Sequence, residues 1–295
     1  MDAEDATADF VAQRNLLFTV AYEMLGSAAD AEDVLQETWL RWVSVDLAQV
    51  RDRRAYLVRI TTRQALNRLR TLSRRRESYV GPWLPEPVLT APDVAEDVEL
   101  AESLSMAMML VLETLTPTER AVFVLREAFD VSYEEIAAAV DKSPAAVRQI
   151  AHRARKHVDA RRPRESASAG TARAALESFQ RALDSGDLQG LLDVLAPEVQ
   201  LVSDGGGVKQ AGLRPVFGAD KVVRFILGGI GKSAATVTTE HAVVNGYPAL
   251  ALHVDGEFDG IMAVRVEGTR ISGLYYVRNP AKLTRANLET RLTLR

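Results

Sequence analysis

The feature that most constrains the fold is a pair of capped helices predicted within Ser132–Val158. Ser132 and Glu135 form an S-x-x-E capping box, so a helix is expected to start there. After a short break, Ser143 can cap a second helix, and Pro144 suits its first position, where no backbone N–H is needed. The second helix has an apolar stripe at helical spacing, formed by Val147, Ile150, Ala151, Ala154 and Val158.

The other side of this second helix is polar and basic, as in a DNA-recognition helix that packs one face and offers the other to the major groove. Arg148 and Gln149 lie early in the helix, and these residue types read guanine and adenine edges. Arg153 and Lys156 follow further along and suit phosphates. The alternative is an ordinary amphipathic helix pair with a solvated charged face.

Composition limits the other classes of protein. A chain of 295 residues is expected to hold about two or three domains. It has no cysteine and therefore neither disulfides nor thiolate metal sites, and no apolar run long enough for a membrane span. Its acidic start has no signal-like apolar segment, so we expect a cytoplasmic protein. The net charge of −4 does not exclude DNA binding, because DNA meets a local patch.

A second basic helix is predicted over residues 55–73, after a loop at 43–53. It carries the strongest basic block in the chain, including Arg59, Arg63, Arg68 and Arg70. Arginines at this density are expected to neutralise the phosphates of a nucleic-acid backbone.

The remaining segments indicate linkers and a different kind of domain. Residues 78–98 contain four prolines and then turn acidic, which is typical of an extended linker. Residues 161–170 are a second, polar linker. Beyond them, helices precede a run of predicted strands separated by glycines, which indicates an α+β domain built on an antiparallel meander.

The N-terminal segment 16–42 resembles region 2 of bacterial sigma factors of the extracytoplasmic-function (ECF) type. The matching residues are Asp30–Asp33, Gln36–Glu37 and Leu40–Trp42. The helix-turn-helix falls where region 4 of this family lies. The resemblance implies that region 2 holds the −10 element as a single strand and region 4 holds the −35 element as a duplex. It also implies a face toward the β′ clamp helices of RNA polymerase, made of Asp33, Gln36, Glu37 and Arg41; the alternative is a solvated charged face.

Three short strings are similar to those of the sigma-J-like ECF group, whose members carry a fused SnoaL-like domain. They are WLPEP at 83–87, DGGGVK at 204–209 and NPAKL at 279–283. Val208 and Ala281 depart from the group's DGGGK and NPDKL patterns. The loop-like strings are expected to touch the sigma domains or the linker, through the residues Trp83, Pro85, Asp204, Gly205, Gly206, Lys209, Asn279, Pro280 and Lys282.

The resemblance implies a multi-domain fold class: two all-α sigma domains, a region 2 helical bundle and a region 4 helix-turn-helix, followed by an α+β SnoaL-like (NTF2-like) cone domain. The expected bounds are 1–77 for region 2, 78–104 for the linker, 105–160 for region 4, 161–170 for the second linker, 171–285 for the cone domain and 286–295 for the tail.

The implied function is that of an ECF sigma factor, which binds core RNA polymerase (β′ clamp helices and β flap) and promoter DNA to initiate transcription, with the cone domain regulating it in cis. The alternative is a ligand-sensing helix-turn-helix regulator that does not depend on core polymerase. We predict no enzyme: Asp204, His241 and His253 are the only tempting acid–base groups, and no spacing defines a site. No cofactor, metal or membrane partner is predicted, and a small-molecule ligand of the cone domain stays open.

Overall fold

The computed structural model describes residues 3–76, 78–90, 98–161, 167–233, 236–284, 290 and 292–293. The chain divides into two compact units, each described by itself below. The first unit comprises Met1–Glu77, Met109–Arg162 and Arg291–Arg295, and the second comprises Ser78–Met108 and Pro163–Thr290.

Three long helices begin the first unit: α1 (Ala3–Leu25), α2 (Ala28–Trp42) and α3 (Arg53–Arg76). The Ser27 side chain caps α2 by accepting a hydrogen bond from the backbone N–H of Asp30 (3.1 Å). The α1 and α2 faces meet in a core of aromatic and aliphatic side chains, and the indole N–H of the fully buried Trp42 donates to the Ala6 carbonyl (2.9 Å).

Further helices follow along the chain: α4 (Val98–Leu104), which belongs to the second unit, α5 (Met106–Leu112), α6 (Pro117–Phe123), α7 (Tyr133–Val140) and α8 (Pro144–Asp159). The predicted capping box at the start of α7 is present, with the Ser132 side chain accepting from the Glu135 backbone. Ser143 caps α8 and Pro144 is at its first turn, as predicted. All five residues of the predicted apolar stripe of α8 are buried. The predicted helix-turn-helix is therefore confirmed.

The second unit has helices α9 (Ala169–Ser185), α10 (Leu188–Val194) and α11 (Ala219–Ser233) and one six-stranded sheet. The strands are β1 (Leu195–Asp204), β2 (Val216–Phe217), β3 (Val237–Val244), β4 (Tyr247–Val254), β5 (Glu257–Glu267) and β6 (Arg270–Val277), in the order β2-β1-β6-β5-β4-β3.

Strands β3 to β6 form the predicted antiparallel meander, but β1 pairs in parallel with β6. The chain between β1 and β6 passes through α11 and the rest of the meander, so no hairpin joins the two strands and a parallel pairing is open to them. The helices pack on one face of the sheet around Phe179, Val222 and Leu274. A smaller cluster on Val244, Ala249 and Ile261 is covered by Leu89 from the first linker.

Within the described residues, no helix has the length and apolar character needed to cross a membrane.

Candidate nucleic-acid and linker-binding sites

Helix α8, the predicted recognition helix, exposes all four residues predicted to meet the −35 element, namely Arg148, Gln149, Arg153 and Lys156. Arg148 lies at its N-terminal end, where its guanidinium is 5.8 Å from the Tyr133 ring centroid and 3.6 Å from the Glu134 carboxylate. Its side chain is still 54% exposed. The helix therefore presents a continuous polar face opposite its buried stripe.

The four arginines predicted for the −10 element are not equivalent. Arg59 lies over the Tyr56 ring at 4.5 Å, and Arg70 is exposed. Arg68 donates to Asp30 (Nε to Oδ1, 2.7 Å) and to Asp33 (Nη2 to Oδ2, 3.1 Å). The hydrogen bond to Asp30 is the main reason why the pKa of Arg68 is raised. The charge of Arg68 is thus largely matched by two carboxylates of α2.

Arg63 binds the backbone of a helix outside α1–α3. Its guanidinium donates to two backbone carbonyls of α7, Ala138 (Nη2 to O, 2.7 Å) and Ala139 (Nε to O, 3.4 Å). A residue of the predicted −10 helix therefore binds the first helix of the helix-turn-helix.

Asp33, Gln36, Glu37 and Arg41 are all exposed on α2. Glu37 accepts from the Gln64 side chain (2.9 Å), in addition to the contact between Asp33 and Arg68. Leu40 lies among them and is 68% exposed. Sequence reasoning did not select Leu40 as a contact residue, although an apolar side chain between exposed charges on a helix is the signal that could have found it.

Arg120, a residue of α6, is a fully buried charged side chain of the first unit and was not predicted from the sequence. It is 1% exposed, and its guanidinium donates to the Glu23 carbonyl (Nε 3.0 Å, Nη2 2.7 Å) and to the Glu113 carboxylate. Burial lowers the pKa of Arg120 to about 9, so the guanidinium is still protonated at neutral pH. Arg120 thereby connects α6 to the C-terminal end of α1.

In the second unit, Asp204 ends β1 and is fully buried. Its Oδ1 accepts from the Tyr79 hydroxyl (2.6 Å) and the Gly206 backbone N–H (3.0 Å). Its Oδ2 accepts from the Leu84 backbone N–H (2.9 Å) and the Lys282 ammonium (2.6 Å). Four donors converge on one carboxylate, and two of them belong to the first linker.

Lys282 holds the same stretch of linker from the other side. Its ammonium, 12% exposed, donates to the Leu84 carbonyl (2.6 Å) and lies over the rings of Tyr79 (4.8 Å) and Trp83 (4.2 Å). Burial and the hydrogen bond to Asp204 raise the pKa of Tyr79 well above its ordinary value, so the phenol stays a donor. Asp204 and Lys282 thus bind the N–H and the carbonyl of the same residue.

The DGGGVK and NPAKL strings meet at Gly206. Gly206 has φ of 62°, and a Cβ there would lie 2.3 Å from the Asn279 amide nitrogen, so only glycine fits. The Asn279 amide in turn donates to the Tyr79 hydroxyl (2.6 Å). Gly205 is equally constrained, since its Cβ would lie 2.0 Å from the Lys209 carbonyl.

The other predicted interdomain residues have separate places. Pro85 is buried within the linker, Pro280 is exposed in the first turn of a 3-10 helix, and Lys209 binds Asp259 (2.8 Å) rather than the linker.

A two-residue Asn-Gly turn between β3 and β4 holds the linker further along. Asn245 and Gly246 have φ of 55° and 74°, as a type I′ hairpin turn requires. Asn245 exchanges two hydrogen bonds with the Val88 backbone (2.9 and 3.0 Å), and its amide donates to the Leu104 carbonyl (2.9 Å). The Thr90 N–H donates to the Val243 carbonyl (3.0 Å).

Asp259 forms the second buried acidic centre of this unit. It accepts from Lys209 (2.8 Å), from Arg278 (2.7 and 2.9 Å) and from the Tyr276 hydroxyl. Burial alone would raise the pKa of Asp259, but the hydrogen bonds from Arg278, Lys209 and Tyr276 outweigh it and lower the pKa to about 2.

We therefore expect an acid-dependent loss of stability in the second unit. A carboxyl whose pKa is lower in the folded than in the unfolded state stabilises the folded state. This contribution is fully present above the unfolded pKa of about 4 and is lost as the pH falls toward 2. The loss is about 2 kcal/mol between pH 5 and pH 2. Urea unfolding across this range should show it, and Asp259→Asn should flatten the pH dependence. An unchanged slope in the variant would contradict the assignment.

Comparison with known proteins places these features in a family. Residues 10–75 match the model of Sigma-70 region 2, and residues 105–158 match that of Sigma-70, region 4. The ECF RNA polymerase sigma factor SigJ of Mycobacterium tuberculosis (strain ATCC 25618 / H37Rv) is 38% identical over 297 residues, which cover 96% of this chain and 95% of that protein. The chain belongs to the ECF RNA polymerase sigma factors.

A second relative and a solved structure are similar to this ECF sigma factor over most of its length. A probable ECF RNA polymerase sigma factor, SigI, of the same organism is 30% identical, with 95% of each chain covered. The crystal structure of the M. tuberculosis ECF sigma factor SigJ matches with a TM-score of 0.76 and 36% identity, covering 94% of this chain and 98% of that one. The predicted family and fold class are confirmed.

This sigma factor recognises promoters together with core RNA polymerase and initiates transcription, and sigma factors are non-catalytic initiation factors. The alternative of a regulator that does not depend on core polymerase is not supported.

Proposed function

We propose that the C-terminal domain of this sigma factor regulates it in cis by binding the linker that joins regions 2 and 4. The observation that carries the proposal is the double contact on Leu84, whose N–H binds Asp204 and whose carbonyl binds Lys282. Backbone contacts are insensitive to the linker's side chains, so they hold its path in space. Asn245 binds the linker further along the chain, since its side chain accepts a hydrogen bond from the Val88 N–H.

The physical consequence concerns the spacing of the DNA-binding regions. Promoter elements at fixed separation require regions 2 and 4 to reach them together, and a tether controls how often they do so. A linker bound along residues 79–90 shortens the free tether between the regions. We infer that the bound linker restrains the sigma regions and that its release raises promoter activity.

Lys282→Met in the full-length chain tests this proposal. The variant keeps most of the side chain's apolar length but loses both hydrogen bonds, so run-off transcription with core polymerase should rise by about three-fold or more, as for a shift of about 0.7 kcal/mol or more between two states. Hydrogen exchange of the Leu84 amide should become faster in the same variant. Lys221→Met, an exposed position on α11, is the matched control. Equal transcription from Lys282→Met and the control, with both folded, would refute regulation through this contact.

We also propose the division of labour among the sigma residues. Asp33, Gln36, Glu37 and Arg41, with Leu40 between them, form the face toward the β′ clamp helices, and region 4 meets the β flap. Arg59, Arg63 and Arg70 serve the −10 strand, while Arg68 positions α2 against α3 through Asp30. The exposure of the α2 residues supports this, and the cytoplasm is the proposed location, since polymerase and promoters are there.

Sequence readout by α8 gives a separate prediction. Arg148→Ala should weaken promoter binding by about 1–3 kcal/mol, mostly at one guanine position, as for the loss of a bidentate contact. Lys156→Ala should instead weaken binding to all promoters alike and reduce its salt dependence. Binding measurements on a panel of single-base promoter variants at two salt concentrations distinguish the two. A uniform loss for both variants would contradict the assignment.

We propose that the cone domain has no catalytic activity. Asp204 is occupied by four donors and Asp259 by groups from Lys209, Tyr276 and Arg278, so neither carboxylate is available as a general base. A cleft of about 390 Å³ beside the linker, lined by Val80, Pro82, Lys209 and Leu213 among others, is the proposed place for a small-molecule ligand.

A further inference from the structure

Two arginines of the first unit bind the C-terminal ends of helices that belong to the opposite sigma region. Arg63 of region 2 donates to the Ala138 and Ala139 carbonyls, which lie in the last turn of α7 in region 4. Arg120 of region 4 donates to the Glu23 carbonyl, which lies in the last turn of α1 in region 2. The two contacts are therefore reciprocal.

The last carbonyls of a helix lack intrahelical partners and carry the negative end of the helix dipole. A guanidinium bound there makes charge-assisted hydrogen bonds with a cluster of partly negative oxygens, much as it would with a phosphate. The carboxyl end of α7 thus occupies the same donors of Arg63 that a DNA backbone would use. One guanidinium cannot serve both partners in the same geometry.

We propose that these reciprocal arginine contacts form a latch that keeps regions 2 and 4 closed on each other, and that Arg63 passes from α7 to the promoter strand when the regions separate. Arg63 thereby favours the closed form in the absence of DNA and contacts the promoter strand when DNA is bound. The inference rests on the proposed −10 role of Arg63, but the closed form itself is tested without DNA.

Ala138 offers a test that leaves Arg63 unchanged, because its side chain is exposed on α7 next to the bound carbonyls. Ala138→Lys should repel the Arg63 guanidinium and open the latch, whereas Ala138→Glu should attract it and favour the closed form. Exposed charge pairs change such equilibria by roughly two- to five-fold. In an Arg63→Gln background, the difference between the two variants should disappear.

Because the chain has no cysteine, thiol-reactive dyes attach only to cysteines that are introduced for the measurement. Dyes on Ala12→Cys in α1 and Ala145→Cys in α8, both exposed positions, report the separation of the regions by energy transfer in the full-length protein. Ala138→Lys should lower the transfer relative to Ala138→Glu, with circular dichroism confirming that both variants are folded. Equal transfer in the two variants, or a difference that persists with Arg63→Gln, would overturn the latch.

Binding of a single-stranded oligo-dT separates this outcome from failure of the −10 assignment. The ratio of oligonucleotide affinities between Ala138→Lys and Ala138→Glu should be about two- to five-fold larger with Arg63 intact than in the Arg63→Gln background, where only the added charge acts on the strand. If energy transfer responds as expected but this ratio is the same in both backgrounds, Arg63 closes the regions without contacting the strand, and the transfer of Arg63 to DNA is refuted.

Discussion

Arg120→Met is expected to lower the free energy of unfolding of the first unit by about 3–5 kcal/mol, the cost of removing one partner from a buried charged pair. Methionine fills much of the space but leaves the Glu23 carbonyl and the Glu113 carboxylate without the guanidinium. Urea unfolding followed by the fluorescence of Trp39 and Trp42, in a Trp83→Phe background, measures the change.

Arg155→Met is the matched control for this prediction. Arg155 also binds a glutamate, Glu127, but its side chain is 46% exposed. Exposed ion pairs contribute about 0–1 kcal/mol, so the control should remain close to wild type. If both variants lower the free energy of unfolding by similar amounts, burial does not determine how much Arg120 contributes to stability.

Asp204→Ala should destabilise the second unit by about 3–5 kcal/mol, because the Lys282 ammonium stays in a buried site without its counter-charge. The Tyr79 hydroxyl and the Leu84 N–H lose their acceptor as well. Hydrogen exchange of amides in β1 and β6 gives the free energy of opening of this unit, and Asp193→Ala, at an exposed position on α10, is the control.

A double-mutant cycle decides whether the effect belongs to the pair. Asp204→Ala with Lys282→Met should cost less than the sum of the single variants, since the second change removes the stranded charge. Additive losses would show that the two residues act independently, contrary to their 2.6 Å contact.

The helix-turn-helix was predictable residue by residue because its signals are local. The capping box, the proline at the first turn and the apolar stripe each depend on residues a few positions apart. The basic face of α8 followed from the same periodicity. Family membership followed from short strings whose order along the chain is specific.

The roles of the arginines could not be predicted in the same way. Arg63 and its α7 carbonyls are 75 and 76 residues apart, and Arg68 and Asp30 are 38 apart. A basic helix indicates phosphate binding whether or not the fold supplies internal acceptors, so only the structure shows that Asp30 and Asp33 bind Arg68. The parallel pairing of β1 with β6 was missed because strand patterns carry no information on direction.

The linker strings were identified by resemblance, and their partners were only partly anticipated. Asp204 and Lys282 meet Leu84 across 120 and 198 residues. Lys209 was grouped with them, but the turn that begins at Gly205 takes it to Asp259 instead. Two residues of one motif, Asp204 and Lys209, thus bind different parts of the second unit.

The Asn-Gly turn between β3 and β4 separates two properties that usually change together. Glycine at position 245 would satisfy the same positive φ and keep the hairpin, yet it would remove the amide that binds Val88 and Leu104. The backbone of Asn245 therefore supports the hairpin of the cone domain, whereas its side-chain amide binds the linker that joins the sigma regions. In evolution, a single substitution at position 245 could therefore add or remove linker binding while every strand of the cone domain stays in place.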